Sequence, residues 1–181
     1  KTTIIKALQE RLQHAMGVRV LEEPVDEWER HGFLKAMYDG NLNSAVFQIM
    51  VLSSLTGDML AAMAGEPAII IPDRSAWSNF HVFAKASLSG MELEAAEFAF
   101  NRVVDTLPKK MRRCILHLKL DPGTAKKRTD ERARNGEEGI SHEYLSRLDR
   151  LHEEWLSTED GVTVVDCSDE KDIVLKKVME V

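Results

Sequence analysis

Two carboxylates that follow apolar runs, and one group of arginines, are the residues of this chain best suited to chemistry. Glu23-Pro24 comes directly after Val18-Arg19-Val20-Leu21 and Glu22, and Asp73-Arg74-Ser75 directly after Ala68-Ile69-Ile70-Ile71-Pro72. If both runs are strands of a parallel sheet, Glu23 and Asp73 sit at its carboxyl edge, where open α/β sheets bind ligands. A carboxylate there can take a proton or hold Mg²⁺ through water, and an arginine beside it can bind phosphate or orient the carboxylate. The plainer reading is that both are helix-start acids favoured by the dipole. Arg128, Arg132 and Arg134 follow at spacings of four and two. The first two share a helix face. Converging guanidiniums suit phosphoryl transfer, whose transition state is stabilised mainly by positioned positive charge. A solvated basic face is the competing meaning.

Tyr38, Phe47, Gln48 and Phe83 offer aromatic faces and one amide, the materials of a slot for a planar base. Aromatics at helical spacing are also what a core requires. Lys1-Thr2 before an apolar helix matches the last two positions of G-x-x-x-x-G-K-[ST], although the glycines that make that loop specific are not in the sequence. The six histidines form no H-E-x-x-H, the cysteines Cys114 and Cys167 no C-x-x-C, and no G-x-S-x-G occurs.

The elements that must position these residues follow from apolar spacing. Ile4, Ile5, Leu8, Leu12 and Ala15 predict a helix over Thr2 to Ala15, ended by Gly17 before a strand at Val18 to Leu21. Ala45 to Ala64 reads as a long helix closed by Gly65 and Pro67. The run from Ala68 to Pro72 suits a parallel strand buried on both faces. Helices are expected near Phe80 to Leu88 and Leu93 to Thr106, then a strand at Cys114 to Leu120 and a turn at Asp121-Pro122-Gly123. Lys126 to Arg134 holds five basic and two acidic side chains. Ser141 opens a helix striped by Tyr144, Leu145, Leu148, Leu151, Trp155 and Leu156. Val162 to Val165 is the last strand and Lys171 to Met179 the last helix. Alternating strands and helices without repeat or linker predict one α/β domain around a parallel sheet.

Composition bounds the function. The chain has 181 residues with 44% hydrophobic and 30% charged side chains, enough for one sizeable core. Its net charge of −6 argues against a general nucleic-acid binder, so any anion must meet a local positive site. No uninterrupted apolar run approaches the roughly 20 residues of a membrane span, and no membrane partner is expected. Two cysteines fit a reducing compartment. The chain opens at lysine and is expected to be N-terminally incomplete.

Together these pieces resemble the deoxynucleoside kinase family over nearly the whole chain. Glu23-Pro24-Val25-Asp26-Glu27-Trp28 is similar to the family's E-P-V-x-x-W, and Tyr38-Asp39 with Phe47-Gln48 to its Y-x-D-P…F-Q, here without the proline. Asp73-Arg74-Ser75 stands at D-R-S. Arg128 through Glu138 resembles the lid R-x-x-x-R-x-R-x-x-E, and Tyr144-Leu145 with His152-Glu153-Glu154-Trp155-Leu156 the helix after it. The resemblance implies a P-loop nucleoside kinase fold over 1–181, with a parallel sheet flanked by helices and a lid at about 126–139. The family's first strand and glycine-rich loop are absent from the sequence.

The activity implied is ATP-dependent phosphorylation of a deoxynucleoside 5′-hydroxyl, with Mg²⁺. Glu23 would be the general base, steadied by Arg74. Arg128, Arg132 and Arg134 would close over the phosphates. Lys1 and Thr2 would bind ATP, with Thr2 and Asp73 on Mg²⁺. Trp28, Leu34 and Phe47 would wall the slot, Gln48 would pair with the base and Phe83 stack on it, and Tyr38 and Glu137 would bind the sugar. Where related kinases often carry an aromatic against adenine, Asp169-Glu170-Lys171 offers no ring.

Leu55, seven residues after Gln48, and Asn79, five after Arg74, stand where cytidine- and purine-accepting members often carry arginine and aspartate. Their neutrality leans the resemblance to pyrimidines, thymidine included. A nucleoside monophosphate kinase shares the loop and the Asp-Arg edge, and a catalytically inactive subunit of a larger complex is the reading from another class. The resemblance also implies a homodimer, to which the stripe from Ala45 to Ala64 can contribute. The compartment expected is cytoplasmic, or mitochondrial after removal of a presequence.

Overall fold

The structure is a computed structural model and describes residues 2–12, 14–15, 17–132 and 139–181. The first helix, α1 (Thr2–Leu12), buries Ile4, Ile5 and Leu8. It stops a turn before Ala15, and Gly17 takes φ +77°, a left-handed conformation that favours glycine. A Cβ there would touch Ala68 at 3.4 Å, so glycine also lets the chain pass close to the entry of the second strand.

Strand β1 (Val18–Leu21) pairs in parallel with β2 (Ile69–Pro72), and β3 (Ile115–Lys119) with β4 (Val162–Asp166). The helices are α2 (Val25–Arg30), α3 (Phe33–Tyr38), α4 (Ser44–Met63), α5 (Ala76–Ser78), α6 (Lys85–Ser87), α7 (Gly90–Thr106), α8 (Pro122–Arg132), α9 (His142–Leu156) and α10 (Lys171–Met179), with a π-helical segment at Asn79–Ala84. The parallel strands flanked by helices are the expected α/β architecture. Among the described residues, however, the strands form two separate pairs. One apolar cluster joins them: Val165 of β4 is buried in it with Ile4, Ile5 and Leu8 of α1 and Val174, Leu175 and Val178 of α10, and Val20 of β1 and Leu118 of β3 pack against it.

Three expectations change. The strand at Ala68–Pro72 is not buried on both faces, since Ile69 is 54% exposed. Among the described residues it pairs with β1 alone, and helical cover reaches only part of it. The stretch between Glu23 and Asn43, unassigned by periodicity, holds α2 and α3, too short to show a repeat. The helix expected from Phe80 begins as the π-helical segment, a wider turn that proteins often keep at functional sites.

Helix α4 starts where Asn43 Oδ1 accepts from the amides of Ala45 and Val46, a polar cap of the kind worth about 1 kcal/mol. Its 20 residues are long and apolar enough to cross a membrane by length and composition. Here it contacts α7, β2 and the π-helical segment and buries Phe47, Gln48, Val51, Leu52 and Leu55.

Candidate active site

The register of the first strand pair builds the centre of the site. Leu21 lies opposite Pro72, and the Asp73 amide donates to the Leu21 carbonyl at 2.8 Å, extending the ladder by one residue. Glu23 and Arg74 each stand two residues beyond these partners, so 51 residues of sequence separation collapse to neighbouring positions. Arg74 Nη1 meets Glu23 Oε1 at 2.9 Å, with side chains 15% and 11% exposed. Two charges so nearly removed from water hold only when well paired, and deleting one partner of such a buried pair costs about 3–5 kcal/mol.

The helix-cap reading of the two edge acids loses ground. The cap of α2 is Pro24, not Glu23, and that of α5 is Ser75, whose Oγ accepts from the Ser78 amide while Ser78 Oγ accepts from the Ser75 amide. Neither carboxylate is the cap residue of the helix that follows it.

From Arg74 the contacts run in a circuit. Its guanidinium lies 3.7 Å above the Phe83 ring. Phe83 shares the π-helical segment with Asn79, whose Nδ2 donates to the Gln48 carbonyl at 3.2 Å. Gln48 follows Phe47 on α4, and Phe47 meets Trp28 edge to face at 6.1 Å. Trp28 donates from Nε1 to Ser54 Oγ at 3.3 Å and sits on α2, which begins two residues after Glu23. Trp28 and Phe47 form one buried cluster with Val51 and Leu55, and Leu34 packs against that cluster, so these aromatics serve the core as well as any slot. Tyr38, at the end of α3, is exposed. Gln48 and Asn79 are buried, and neither Gln48 Oε1 nor Asn79 Oδ1 has a hydrogen-bond partner. Buried acceptors left unmade cost about 1–3 kcal/mol each, so each calls for a specific explanation.

The deoxynucleoside kinase family profile matches residues 1–180, in agreement with this circuit. The chain belongs to the deoxynucleoside kinase family. It is 31% identical over 193 residues to a thymidine kinase of Ictalurid herpesvirus 1, covering all of this chain and 80% of the relative. A probable deoxycytidine kinase of fowlpox virus is 28% identical, covering 87% of this chain and 67% of its own. Human mitochondrial thymidine kinase 2 is also 28% identical, over 86% of this chain and 60% of that protein. In fold, the chain is similar to deoxyadenosine kinase from M. mycoides, with TM-score 0.78 and 22% identity, over 98% of this chain and 90% of the other.

The arginines of this deoxynucleoside kinase separate. Arg128 and Arg132 lie one turn apart on α8, while Lys126 and Lys127 are matched by Asp130 and Glu131. Arg128 donates from Nη1 to the Cys167 carbonyl at 2.9 Å and from Nη2 to the carbonyls of Ser168 and Asp169 at 3.3 Å. That ties α8 to the turn after β4, beside the cluster that holds Ile4 and Ile5 of α1. Arg132 ends α8 in an exposed position. Thr2 is the first residue of α1. Lys1, Arg134 and Glu137 lie outside the described residues.

Sequence reasoning passed over Tyr144 as a stripe residue. Burial pushes its phenol pKa up, while the charges of Arg74 and Arg147 pull it down. A tyrosine on a stripe made mostly of leucines was the available signal, because a phenol drawn toward the interior needs a polar neighbour.

Proposed function

We propose that this kinase transfers the γ-phosphoryl group of ATP to the 5′-hydroxyl of a deoxynucleoside. The observation that carries the reading is the 2.9 Å Glu23–Arg74 pair at the carboxyl edge of β1 and β2. Glu23 accepts the hydroxyl proton as that oxygen bonds to the γ-phosphorus and the bond to ADP breaks. Arg74 holds the carboxylate in place and presents the remainder of its fork to the phosphoryl oxygens. Arg128, Arg132 and Arg134 would add positive charge from the lid, with Lys1 at the ATP phosphates. Tyr38 and Glu137 would hold the sugar.

Among the described residues no three His, Cys, Asp or Glu side chains gather into a metal cage. Mg²⁺ is commonly held by one or two carboxylates with phosphate oxygens and water, and Asp73 at the strand edge, with its buried Oδ1, fits that donor set; Thr2 is the second ligand the family resemblance implies. Bound there, Mg²⁺ supplies neutralisation of phosphate charge.

The substrate proposed is a pyrimidine deoxynucleoside, thymidine included. Asn79 is buried and neutral, Leu55 lines the cluster beneath Trp28 and Phe47, and two relatives carry thymidine kinase in their names. The decisive experiment compares thymidine, thymidine monophosphate and deoxyguanosine as acceptors, with Glu23→Gln as control. Thymidine is expected to turn over fastest, and the variant to lose at least about 100-fold in kcat while still binding nucleoside. Faster turnover of the monophosphate or deoxyguanosine, or normal turnover by the variant, would overturn the corresponding part of the reading.

A homodimer is proposed as well. Val46 and Ile49 on α4, with Met91 and Phe98 on α7, are exposed on two helices that touch each other.

A further inference from the structure

The geometry points to Phe83 as a positioning residue for Arg74, a role beyond any contact of its ring with the base; the inference rests on the kinase reading above. The Arg74 guanidinium carbon lies over the ring, 3.7 Å from its centroid. Nη1 is committed to Glu23, and the buried Nε has no hydrogen-bond partner. A single ion-pair contact leaves a guanidinium free to rotate about it. The negative face of an aromatic ring removes that freedom, because it attracts the cation broadside and fixes its plane.

The ring is itself held from behind. Its flanking residues Val82 and Ala84 are fully packed in the π-helical segment. His152 of α9 meets it edge to face at 6.3 Å, with the ring of His117 stacked on His152 at 5.3 Å. His152 Nδ1 lies 2.8 Å from the Leu148 carbonyl, which locks that imidazole to its own helix. Strand β3 and α9 thus set the position of Phe83, and Phe83 sets the plane in which Arg74 faces Glu23. A residue that only stacked on the base would need none of this alignment with Arg74.

Two substitutions separate the roles. Phe83→Leu removes the ring, and pentafluorophenylalanine at position 83 keeps its shape while inverting its quadrupole. Each is expected to lower kcat by about 10-fold or more at saturating thymidine, over and above any rise in KM from lost contact with the base, and Phe83→Tyr to restore kcat. Independently of turnover, the Arg74 side-chain NMR signals should show an upfield ring-current shift in the wild-type protein that Phe83→Leu abolishes. Unchanged kcat with KM raised about 10-fold would overturn the inference, as would Arg74 signals indifferent to Phe83→Leu. If Phe83→Leu does not fold, the fluorinated and tyrosine proteins carry the kinetic test. A wild-type protein that phosphorylates no nucleoside would refute the kinase reading instead, and the Arg74 signals would still decide whether Phe83 holds this guanidinium.

Discussion

Asn79 donates its side-chain amide to the backbone carbonyl of Gln48 across 3.2 Å, inside a region where both residues are buried. Because only Nδ2 can donate, the bond also decides which way Oδ1 faces: it is an acceptor held in place by a neighbouring helix.

Replacing Asn79 by aspartate keeps the shape and removes the donor. The carboxylate would face the Gln48 carbonyl, two acceptors in a buried space. N79D is expected to lose about 1–3 kcal/mol of stability, measured by urea unfolding, whereas an N79D protein as stable as wild type would show that the bond is not formed.

Arginine is not exchangeable for lysine at position 74. The fork reaches Glu23 with one nitrogen while its central carbon lies over Phe83, and a compact ammonium lacks the extended planar group to do both. R74K is expected to retain nucleoside binding and lose about 100-fold in kcat, as single-turnover kinetics with calorimetric titration would show.

Burial lowers the pKa of His81, with Lys85 reinforcing it, and burial likewise lowers that of His117 against the pull of Glu153. A base whose folded pKa is depressed is neutral in the fold while the unfolded chain still takes up protons near pH 6.5. Stability contributed by the neutral rings is therefore complete above about pH 6.5 and declines as pH falls below it. The melting temperature should drop between pH 7.5 and 5.5. His81→Phe, which keeps the stack on Trp155, should flatten part of that slope, and an unchanged slope would clear His81 of responsibility.

Phe98 and Met91 are 70% and 75% exposed and lie seven residues apart on α7, hence on one face. Aspartate at position 98 should convert a dimer to a monomer in analytical ultracentrifugation with little change in the monomer's circular dichroism. A wild-type protein that sediments as a monomer at micromolar concentration would remove the homodimer.

How much of this was legible beforehand follows the range of the forces involved. Apolar spacing and turn residues placed β1 and located β2, α4, α7, α9 and α10 to within a few residues, since periodicity and caps are properties of neighbours along the chain. The motif residues from Glu23 to Trp155 likewise declared a kinase before any coordinate. What only the tertiary structure decided was which of them meet. The parallel register of Leu21 with Pro72 brings Glu23 to Arg74, the wide turn at Asn79–Ala84 sets Phe83 beneath that guanidinium, and Arg128 is drawn to the carbonyls after β4. Those contacts join residues tens of positions apart or depend on a non-standard helix turn, and their energy comes from desolvation and close approach. No local pattern encodes either one.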